Sequence, residues 1–369
     1  MLLIQADRDV LLKGLQAVTG IVERKHTLPI LSNVLLQGGE DRLSFLATDL
    51  EIQIRCETEP GRCEQSFQTT CSGRKLQDIL RALPEKTSVS LELQDSRLVV
   101  RAGKSRFSLQ TLPAEDFPRF TAAEGEARQI VLEQRRLRHA ISQVQFAMAQ
   151  ADIRYYLNGM LLVVGDGQMR VVATDGHRLS LCQQSLADAD GEPQEVIVPR
   201  KTVLELARLL AESEEPVTVR LARNQVRFGF DAIVLDSKVV DGKFPDYNRV
   251  IPSGYPNRFR VDRLLLQQAL QRAAILSNEK VRGVRLVLTK NSLKVLATNA
   301  EQEEAQEELE IDYDGEALDI GFNVSYLLDV LNHLEAKEVE WALGDSSSSA
   351  LVTVPEDPGF KYVVMPMRI

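Results

Sequence analysis

The strongest constraint on the fold is a self-similarity with a period of roughly 125 residues. The tripeptide ATD or ATN closes an apolar strand pattern three times, in LSFLATDLEI, MRVVATDGHRL and LKVLATNAEQ, around Asp49, Asp175 and Asn299. With 369 residues, the chain is also too long for one ordinary hydrophobic core. The repeat therefore predicts three copies of one domain.

Each copy is predicted to contain two helices, because apolar residues recur at the spacing i, i+3, i+4, i+7. Alternating apolar residues, such as Leu43, Phe45 and Ala47, predict strands for much of the rest. The predicted fold class is α+β, with three repeated domains of two helices packed on antiparallel sheet. Stretches rich in Gly, Pro and small polar residues, TAAEGEAR and IPSGYPNR, place the domain limits at 1–125, 126–251 and 252–369. The apolar helix positions are Leu11, Leu15 and Val18 with Leu76, Ile79, Leu80 and Leu83, then Leu137, Ile141 and Val144 with Val203, Leu206, Ala207 and Leu210, then Leu266, Leu270 and Ala273 with Leu327, Val330, Leu331 and Leu334.

Bulk composition excludes several classes of protein. The net charge of −9 argues against an ordinary nucleic-acid binder, although positive charge confined to one face stays possible. No apolar run reaches about 18 residues, so no membrane span is expected. Asp7 comes too early for a secretory signal, and a cytoplasmic location is expected. Four cysteines without a CxxC pair, and four scattered histidines, predict free thiols, no metal site and no cofactor.

The segment TDGHRL resembles an active site, since Asp175 stands two residues before His177. The same tripeptide closes all three copies, which favours a turn in which Asp or Asn bonds its own backbone. No nucleophile or metal ligand accompanies the pair, so no catalytic residue is predicted and a hydrolase is only a minor alternative. Only the middle copy adds Gly-His-Arg after the turn.

Cations recur on the second helix of the first two copies, opposite the apolar face. One such helix alone would indicate a solvated face with i, i+4 pairs. Recurrence favours a basic inner face that contacts phosphates weakly and allows sliding. Tyr155 and Tyr156 are equally compatible with partial burial and with stacking on a base or bonding to a phosphate. The recurring positions are Arg74, Asp78 and Arg81, then Lys201, Glu205 and Arg208.

The repeat, together with RYYLNGM, ATDGHRL, VPRK, KFPDY, AILSNEK, RGVRL, GFNVSYLLDVL and YVVMPMRI, resembles the bacterial replicative sliding clamps, the β subunits of DNA polymerase III. The resemblance runs along the whole chain in the expected order. It implies a non-catalytic head-to-tail homodimer, whose six domains form a closed ring around duplex DNA. A clamp loader opens such rings. The ring gives the replicative polymerase its processivity and recruits repair polymerases, ligase and mismatch-repair proteins through a linear peptide motif. The expected location is the bacterial cytoplasm, at the replisome on the nucleoid.

The resemblance also assigns site residues. Family DNA contacts fall on Lys25, Arg74, Tyr155 and Tyr156, and Arg200 and Lys201 are added at the start of the second helix of the middle copy. Ala151 stands where relatives have glutamine. His177 and Arg178 are expected at the cleft rim, and the apolar members are expected in its wall. The partner-peptide cleft is expected to comprise Leu157, Thr174, Gly176, His177, Arg178, Leu179, Pro245, Arg249, Val250, Ser349, Val363, Val364, Met365, Pro366, Met367 and Arg368.

The dimer interface is expected to join two different surfaces, as a closing head-to-tail contact requires. One is basic and apolar and lies at the end of the first copy. The other is apolar and acidic, in the third copy, and the two are complementary. A three-domain protein-interaction scaffold that does not encircle DNA is the alternative. The resemblance implies that the interface residues are Lys75, Arg97, Lys104, Arg106, Phe107 and Leu109 on one side, and Ile275, Leu276, Glu301, Glu303, Glu304 and Glu307 on the other.

Overall fold

A computed structural model describes residues 1–23, 27–39, 42–59, 65–121, 127–187 and 189–369. Across these ranges the same element order occurs three times: a strand, a helix, four strands, a second helix and three strands. The predicted α+β class and the threefold repeat are confirmed. The predicted limit at 125/126 lies outside the described residues, and the one at 251/252 lies in a loop before a strand.

The elements of the three repeats correspond one to one. The first repeat contains β1 (Leu2–Asp7), α1 (Arg8–Val18), β2 (Asn33–Gly39), β3 (Arg42–Thr48), β4 (Ile52–Thr58), β5 (Phe67–Ser72), α2 (Gly73–Ala82), β6 (Ser88–Gln94), β7 (Arg97–Ala102) and β8 (Ser105–Gln110). The second contains β9 (Arg128–Glu133), α3 (Gln134–Val144), β10 (Gly159–Gly165), β11 (Gln168–Thr174), β12 (Arg178–Ser185), β13 (Gln194–Pro199), α4 (Arg200–Leu209), β14 (Pro216–Leu221), β15 (Gln225–Phe230) and β16 (Ile233–Lys238). The third contains β17 (Asn257–Asp262), α5 (Arg263–Ala274), β18 (Gly283–Thr289), β19 (Ser292–Thr298), β20 (Glu304–Glu310), β21 (Leu318–Asn323), α6 (Val324–His333), β22 (Glu338–Leu343), β23 (Ala350–Val354) and β24 (Asp357–Val364).

Side-chain caps begin several of these helices. Asp7 accepts a hydrogen bond from the backbone N–H of Asp9, and Asp262 accepts one from that of Leu265. Asn323 caps α6 in the same way, through the N–H of Ser325. Such caps satisfy N–H groups that have no partner within the helix. Most of the apolar residues predicted on the helix faces are buried, so the helical periodicity marks the core.

The chain divides into two compact units. The first comprises Met1–Arg136 and Leu204–Val239, and the second comprises Leu137–Val203 and Val240–Ile369. The first contains a four-stranded sheet, β1-β6-β7-β8, and an eight-stranded sheet, β5-β2-β3-β4-β16-β15-β14-β9. The second contains an eight-stranded sheet, β13-β10-β11-β12-β24-β23-β22-β17, and a four-stranded sheet, β20-β19-β18-β21.

One rule describes both eight-stranded sheets. In each, the fourth strand of one repeat pairs antiparallel with the eighth strand of the next. Thus β4 pairs with β16, matching Gln53 with Asp236, and β12 pairs with β24, matching Leu179 with Val363. Among the described residues, no strand pairs with the outer edge of β8 or of β20. These are the eighth strand of the first repeat and the fourth strand of the third.

The core of the third repeat contains the only tryptophan, Trp341, which is fully buried. Its ring lies parallel to that of Phe259, with 6.2 Å between centroids, and packs edge-on against Phe322 at 6.4 Å. Aromatic packing of this kind contributes strongly to a core. Trp341 therefore reports on the packing of the second unit.

Candidate partner-peptide cleft and DNA-contact residues

The repeated AT(D/N) tripeptides form turns. The Asp49 carboxylate accepts the backbone N–H groups of Glu51 and Ile52, and the Asp175 carboxylate accepts those of His177 and Arg178. The side-chain Oδ1 of Asn299 likewise accepts the backbone N–H groups of Glu301 and Glu303. The side chain thus replaces a backbone acceptor at the start of each turn. The prediction of a structural turn is confirmed.

The turn of the middle repeat has an additional constraint at Gly176. Its φ of +89° is a conformation that residues with a Cβ rarely adopt. A Cβ here would also lie 2.9 Å from both terminal guanidinium nitrogens of Arg154. Arg154 is held by two hydrogen bonds of 3.0 Å to the Asp152 carboxylate, and it donates to the Asp175 carbonyl at 3.2 Å. The side-chain and backbone hydrogen bonds of Arg154 lower the pKa of Asp152 to about 2.

An apolar cavity of about 220 Å³ opens beside this turn, entirely within the second unit. Four segments surround it: the short helical turn Tyr155–Leu157, the β11–β12 turn, the loop 244–250 and the end of β24. Its walls are mostly apolar, with polar groups on one side, which is typical of a ligand pocket. The lining residues are Arg154, Tyr156, Leu157, Thr174, Gly176, His177, Arg178, Leu179, Phe244, Pro245, Asp246, Tyr247, Val250, Ser349, Val363 and Met365.

Most of the predicted cleft residues therefore lie together around one cavity. Val364 does not, because successive residues of a strand face opposite sides of a sheet. Val363 packs with Leu157 and Leu179 at the cavity, whereas Val364 is fully buried in the core of the third repeat. The expectation that Val364 walls the cleft is wrong for this reason.

The last residues of the predicted cleft run along β21 and are not part of the cavity lining. The Met367 backbone N–H donates to the Gly321 carbonyl at 2.8 Å. The Ile369 side chain lies so close to Gly283 and Gly321 that an added Cβ at either would meet it within 3.0 Å. Pro366 and Arg368 flank this contact. These residues therefore cover a sheet edge, and only Met365 of the final five lines the cavity.

Arg249 is predicted in the cleft but is also absent from the cavity lining. Its side chain is largely exposed and pairs with Asp246 at 3.0 Å. Five lining residues were missed as cleft residues, namely Arg154, Tyr156, Phe244, Asp246 and Tyr247. Three of them, Tyr156, Phe244 and Asp246, are next to a predicted cleft residue in the chain, which was the available signal.

Arg178 is not a rim residue, because only 9% of its side chain is exposed. Its guanidinium donates to the Asp175 carboxylate at 3.1 Å, to the Asp329 carboxylate at 2.5 Å and to the Phe146 carbonyl at 2.7 Å. It also lies 4.4 Å from the centroid of the Tyr326 ring, a cation–π contact. Arg178 thus links the second and third repeats inside the second unit.

The contacts of Asp175 and His177 favour a structural role over catalysis. The Asp175 carboxylate contacts two backbone N–H groups and the Arg178 guanidinium, while the His177 ring stacks on Tyr326 with 6.4 Å between centroids. In the part of the chain that the structure describes, no group of three or more His, Cys, Asp or Glu side chains is arranged to hold a metal ion. None of the helices formed by described residues combines the length and apolarity needed to cross a membrane.

The predicted DNA contacts are distributed over both units. Lys25 lies outside the described residues. Arg74, at the start of α2, is half-buried and donates twice to the Val22 carbonyl, at 3.0 and 2.6 Å. Tyr155 is 56% exposed, whereas Tyr156 lines the cavity and packs against its apolar cluster. A role of Tyr156 in the cleft is thereby favoured over stacking on DNA.

Arg200 and Lys201 form the first turn of α4, where both are half-buried. The Arg200 guanidinium donates to the Met148 carbonyl at 3.2 Å. This bond uses one of the five N–H donors of the guanidinium, and the assignment of Arg200 and Lys201 as DNA contacts stays a prediction.

Most of the predicted interface residues lie near the outer edges of β8 and β20. Arg106, Phe107 and Leu109 are on β8, and Arg97 is on the neighbouring β7, while Lys75 and Lys104 are exposed on α2 and the β7–β8 turn. Ile275, at the end of α5, is 77% exposed, Leu276 follows it, and Glu301 and Glu303 precede β20.

One of the acidic interface residues is already paired within the chain. Both carboxylate oxygens of Glu307 accept hydrogen bonds from Arg272, at 2.9 and 2.6 Å. Glu304, on the same strand, is exposed. Glu307 is therefore less available than Glu304 to a cation on another chain.

Comparison with known proteins identifies the class. The family described as DNA polymerase III beta subunit matches through its N-terminal domain at residues 2–121, its central domain at 131–246 and its C-terminal domain at 248–368. The Beta sliding clamp of Pseudomonas putida is 48% identical over 363 residues, covering 98% of both chains. That of Escherichia coli K12 is 45% identical over 363 residues, covering 98% of this chain and 99% of the relative.

Solved structures agree. The DNA polymerase III subunit beta of Pseudomonas aeruginosa superposes with a TM-score of 0.96 at 47% identity, over 100% of both chains. A sliding clamp from the same organism, bound to griselimycin, gives the same values. Three repeats of one α+β domain, joined edge to edge in eight-stranded sheets, are thus a clamp architecture. The chain belongs to the DNA polymerase III beta subunit family, the bacterial β sliding clamps.

Proposed function

We propose that this chain acts as a DNA sliding clamp, a non-catalytic processivity factor that encircles duplex DNA as a head-to-tail homodimer. It tethers the replicative polymerase. A clamp loader and the repair polymerases, ligase and mismatch-repair proteins are the further partners, at the nucleoid in the cytoplasm. The domain limits 1–125, 126–251 and 252–369 are retained in this proposal. The observation that carries the ring is the edge pairing of the repeats.

The two strand pairs that join successive repeats within the chain indicate which strands would have to pair between two chains. Each joins the fourth strand of one repeat to the eighth strand of the next. Among the fourth and eighth strands of the repeats, β20, the fourth strand of the third repeat, and β8, the eighth strand of the first, are the two that lie at a sheet edge in the described part of the chain. Pairing β20 of one chain with β8 of another repeats the same junction. Such a contact joins different surfaces and closes a ring when the rotation allows it.

The repeat also gives the register of this intermolecular pair. Asn299 occupies the turn position of Asp49, and Glu303 donates its N–H to it as Ile52 does to Asp49. The β7–β8 hairpin begins with Ala102 opposite Ser105, as the β15–β16 hairpin begins with Phe230 opposite Ile233.

We infer the contacts between chains by transferring the β4–β16 register to the proposed β20–β8 pair. Ser108 lies opposite Glu304 of the partner subunit, and Phe107 lies opposite Ala305 of the partner subunit. Phe107 then faces the helical side of that sheet, where the partner subunit's Ile275 is exposed. The charges agree, because the basic residues Lys104 and Arg106 meet the acidic β20 edge.

A disulfide between chains tests the register. We expect Ser108→Cys combined with Glu304→Cys to give a covalent dimer under mild oxidation, seen on a non-reducing gel. The matched control is Ser108→Cys with Gln306→Cys, which is two residues out of register. Background from Cys56, Cys71 and Cys182 is small, because burial raises the pKa of Cys56 to about 11 and those of Cys71 and Cys182 to about 12. The fourth cysteine, Cys63, lies outside the described residues and is replaced by serine in both variants. A covalent dimer only in the control variant would contradict the register. If neither cysteine pair gave a covalent dimer, the result would contradict the ring.

Encirclement of DNA is tested by topology. We expect the protein, loaded onto nicked circular DNA by a clamp loader and ATP, to be retained at moderate salt and lost when a restriction enzyme linearises the circle. Retention on linear DNA would mean direct binding and would contradict encirclement. A known clamp loaded in parallel controls the loader. The scaffold alternative predicts no loading, and no effect of charge reversal at Arg74, Arg81 and Lys201.

The second part of the proposal is that the cavity of about 220 Å³ binds the linear peptide motif of partner proteins. Leu157, Leu179 and Val363 provide a buried apolar floor, and Met365 adds a flexible wall that suits several ligands. The Met365 backbone N–H is held by the His177 carbonyl at 2.9 Å, so this wall is joined to the turn.

The two methionines of the last segment give a matched test. Met365→Ala removes a lining side chain, and we expect it to weaken binding of a fluorescent partner peptide about tenfold by fluorescence anisotropy. Met367→Ala removes the same side chain outside the cavity, and it should leave the affinity within about twofold. Equal effects of both substitutions would mean that the cavity is not the peptide site.

A further inference from the structure

In each repeat, the segment that follows the eighth strand contacts the fifth strand of the same repeat. A backbone N–H of this segment donates to the fourth residue of that strand, at 3.0, 2.9 and 2.8 Å in the three repeats. The acceptor is a side-chain hydroxyl in the first repeat and a backbone carbonyl in the other two. The donor and acceptor residues are Leu112 and Thr70 of β5, Val240 and Ile197 of β13, and Met367 and Gly321 of β21.

Only in the third repeat is the accepting strand residue a glycine. A Cβ on Gly321 would lie 2.5 Å from the Met367 carbonyl oxygen and 2.8 Å from Ile369 Cδ1. Gly283 of β18 lies diagonally across from Gly321 on the same face of the sheet. A Cβ there would lie 2.9 Å from Ile369 Cδ1 and 3.1 Å from its Cγ1. The segment 365–369 therefore occupies the space that two strand side chains would otherwise fill.

Space is the reason for glycine at these two positions. Neither Gly283 nor Gly321 has a positive φ, so the backbone conformation alone would allow alanine. Glycine in a strand loses more conformational entropy on folding and packs no side chain, which weakens the strand. Its presence within a strand often marks a close approach of another backbone, as at Met367.

The same segment supplies the flexible wall of the cavity. Met365 lines the cavity, but 49% of it is exposed, so packing alone does not fix its side chain. Its backbone N–H is held by the His177 carbonyl at 2.9 Å, and the next anchor is the bond from Met367 to Gly321. Loss of this second anchor would leave Met365 held on one side only.

We propose that Gly283 and Gly321 are positioning residues for the partner-peptide cleft. They leave room for the Ile369 side chain and the Met367 backbone, and this contact keeps Met365 in the cavity wall. Neither glycine lines the cavity, so both act through the segment and not by touching the peptide. The inference rests on the proposed peptide-binding role of the cavity.

The test is alanine substitution at each glycine, with binding of a fluorescein-labelled peptide measured by anisotropy. The peptide has a core of leucine and phenylalanine, which suits an apolar cavity. We expect Gly321→Ala to weaken binding about fivefold, because displacing Met365 cannot cost more than the roughly tenfold expected for removing its side chain. Gly283→Ala should weaken it about twofold to threefold, since only the Ile369 side chain has to move.

The matched control is Gly229→Ala. Gly229 lies within β15, has no positive φ, and has no atom within 4 Å of an added Cβ. Its peptide affinity should equal that of the wild type. Phe322, next to Gly321, packs on Trp341, so the urea midpoint followed by Trp341 fluorescence reports any damage to the core. This midpoint should stay within about 0.3 M of the wild-type value in all three variants.

Hydrogen exchange measured by mass spectrometry reports on the segment itself. In Gly321→Ala the Met367 N–H loses its acceptor, and a peptic fragment that contains it should exchange about tenfold faster at this position. Ile369→Ala provides a second check, because it removes the atoms that an added Cβ on Gly283 would meet. Gly283→Ala should therefore cause no further loss of affinity when combined with Ile369→Ala.

Faster exchange in Gly321→Ala with unchanged peptide affinity would overturn the positioning role. Unchanged exchange, a further loss in the double variant, or a fall in the urea midpoint that accompanies the loss of affinity would overturn it as well. Failure of the peptide to bind the wild-type protein would instead refute the peptide-binding role of the cavity. The exchange measurement distinguishes the two cases, because it needs no peptide.

Discussion

Replacing Arg178 by methionine is the sharpest test of how the second unit is held together. Methionine keeps much of the length and apolar volume but removes the charge and all donors. The loss comprises hydrogen bonds to the carboxylates of Asp175 and Asp329 and to the Phe146 carbonyl, together with the contact to the Tyr326 ring.

The magnitude follows from the burial of these groups. Removing one partner of a buried ion pair costs about 3–5 kcal/mol, and leaving a buried carbonyl unpaired costs about 1–3 kcal/mol. The Asp329 side chain is 38% exposed and can be rehydrated, which reduces the loss. The contributions are not additive, and we expect the free energy of unfolding to fall by about 3 kcal/mol.

Urea unfolding followed by fluorescence measures this change, because Trp341 is the only tryptophan and lies in the core of the second unit. With a slope of about 2 kcal/mol/M, the midpoint should fall by about 1.5 M. The control is Arg227→Met, which breaks a 2.6 Å pair with Asp236 in the first unit and should leave the Trp341 transition in place. A shift below about 0.5 M for Arg178→Met would refute the reasoning.

Three further outcomes are expected. Gly176→Ala should lower the free energy of unfolding by about 1–2 kcal/mol and weaken peptide binding, because the residue has a positive φ and an added Cβ would clash with Arg154. The control is Gly167→Ala, at a residue with φ of +71° and no atom near an added Cβ. Its peptide affinity, measured by fluorescence anisotropy, should equal that of the wild type. Cys182 should resist maleimide at pH 8 in the native protein and react in denaturant, as mass spectrometry would show, because burial raises its pKa to about 12. The pKa of the Asp152 carboxyl is lowered to about 2. Its contribution to stability is therefore fully present above about pH 4 and is lost as the pH falls through 2. A midpoint near pH 4 for the Asp152 carboxyl, measured by NMR in the native protein, would contradict this.

The sequence by itself determined the repeat, the six helices and the three side-chain turns. These features depend on neighbours within a few residues: apolar spacing along a helix, alternation along a strand, and an Asp or Asn that bonds the next N–H groups. Their recurrence in three copies reinforced each local prediction. The same residues, through their resemblance to clamps, also located most of the cavity lining.

Tertiary structure decided the features that join distant segments. Arg178 and Asp329 are separated by 151 positions, so no local pattern shows that this cation is buried in an ion pair and not exposed at a rim. Tyr156 turns into the cavity, and the residues after Met365 run along β21, because long-range packing selects among conformations that are locally equivalent. The alternation along β24 was visible in the sequence, but which of its faces meets the cavity was not. That choice depends on β24 pairing with β12, a contact between separate repeats.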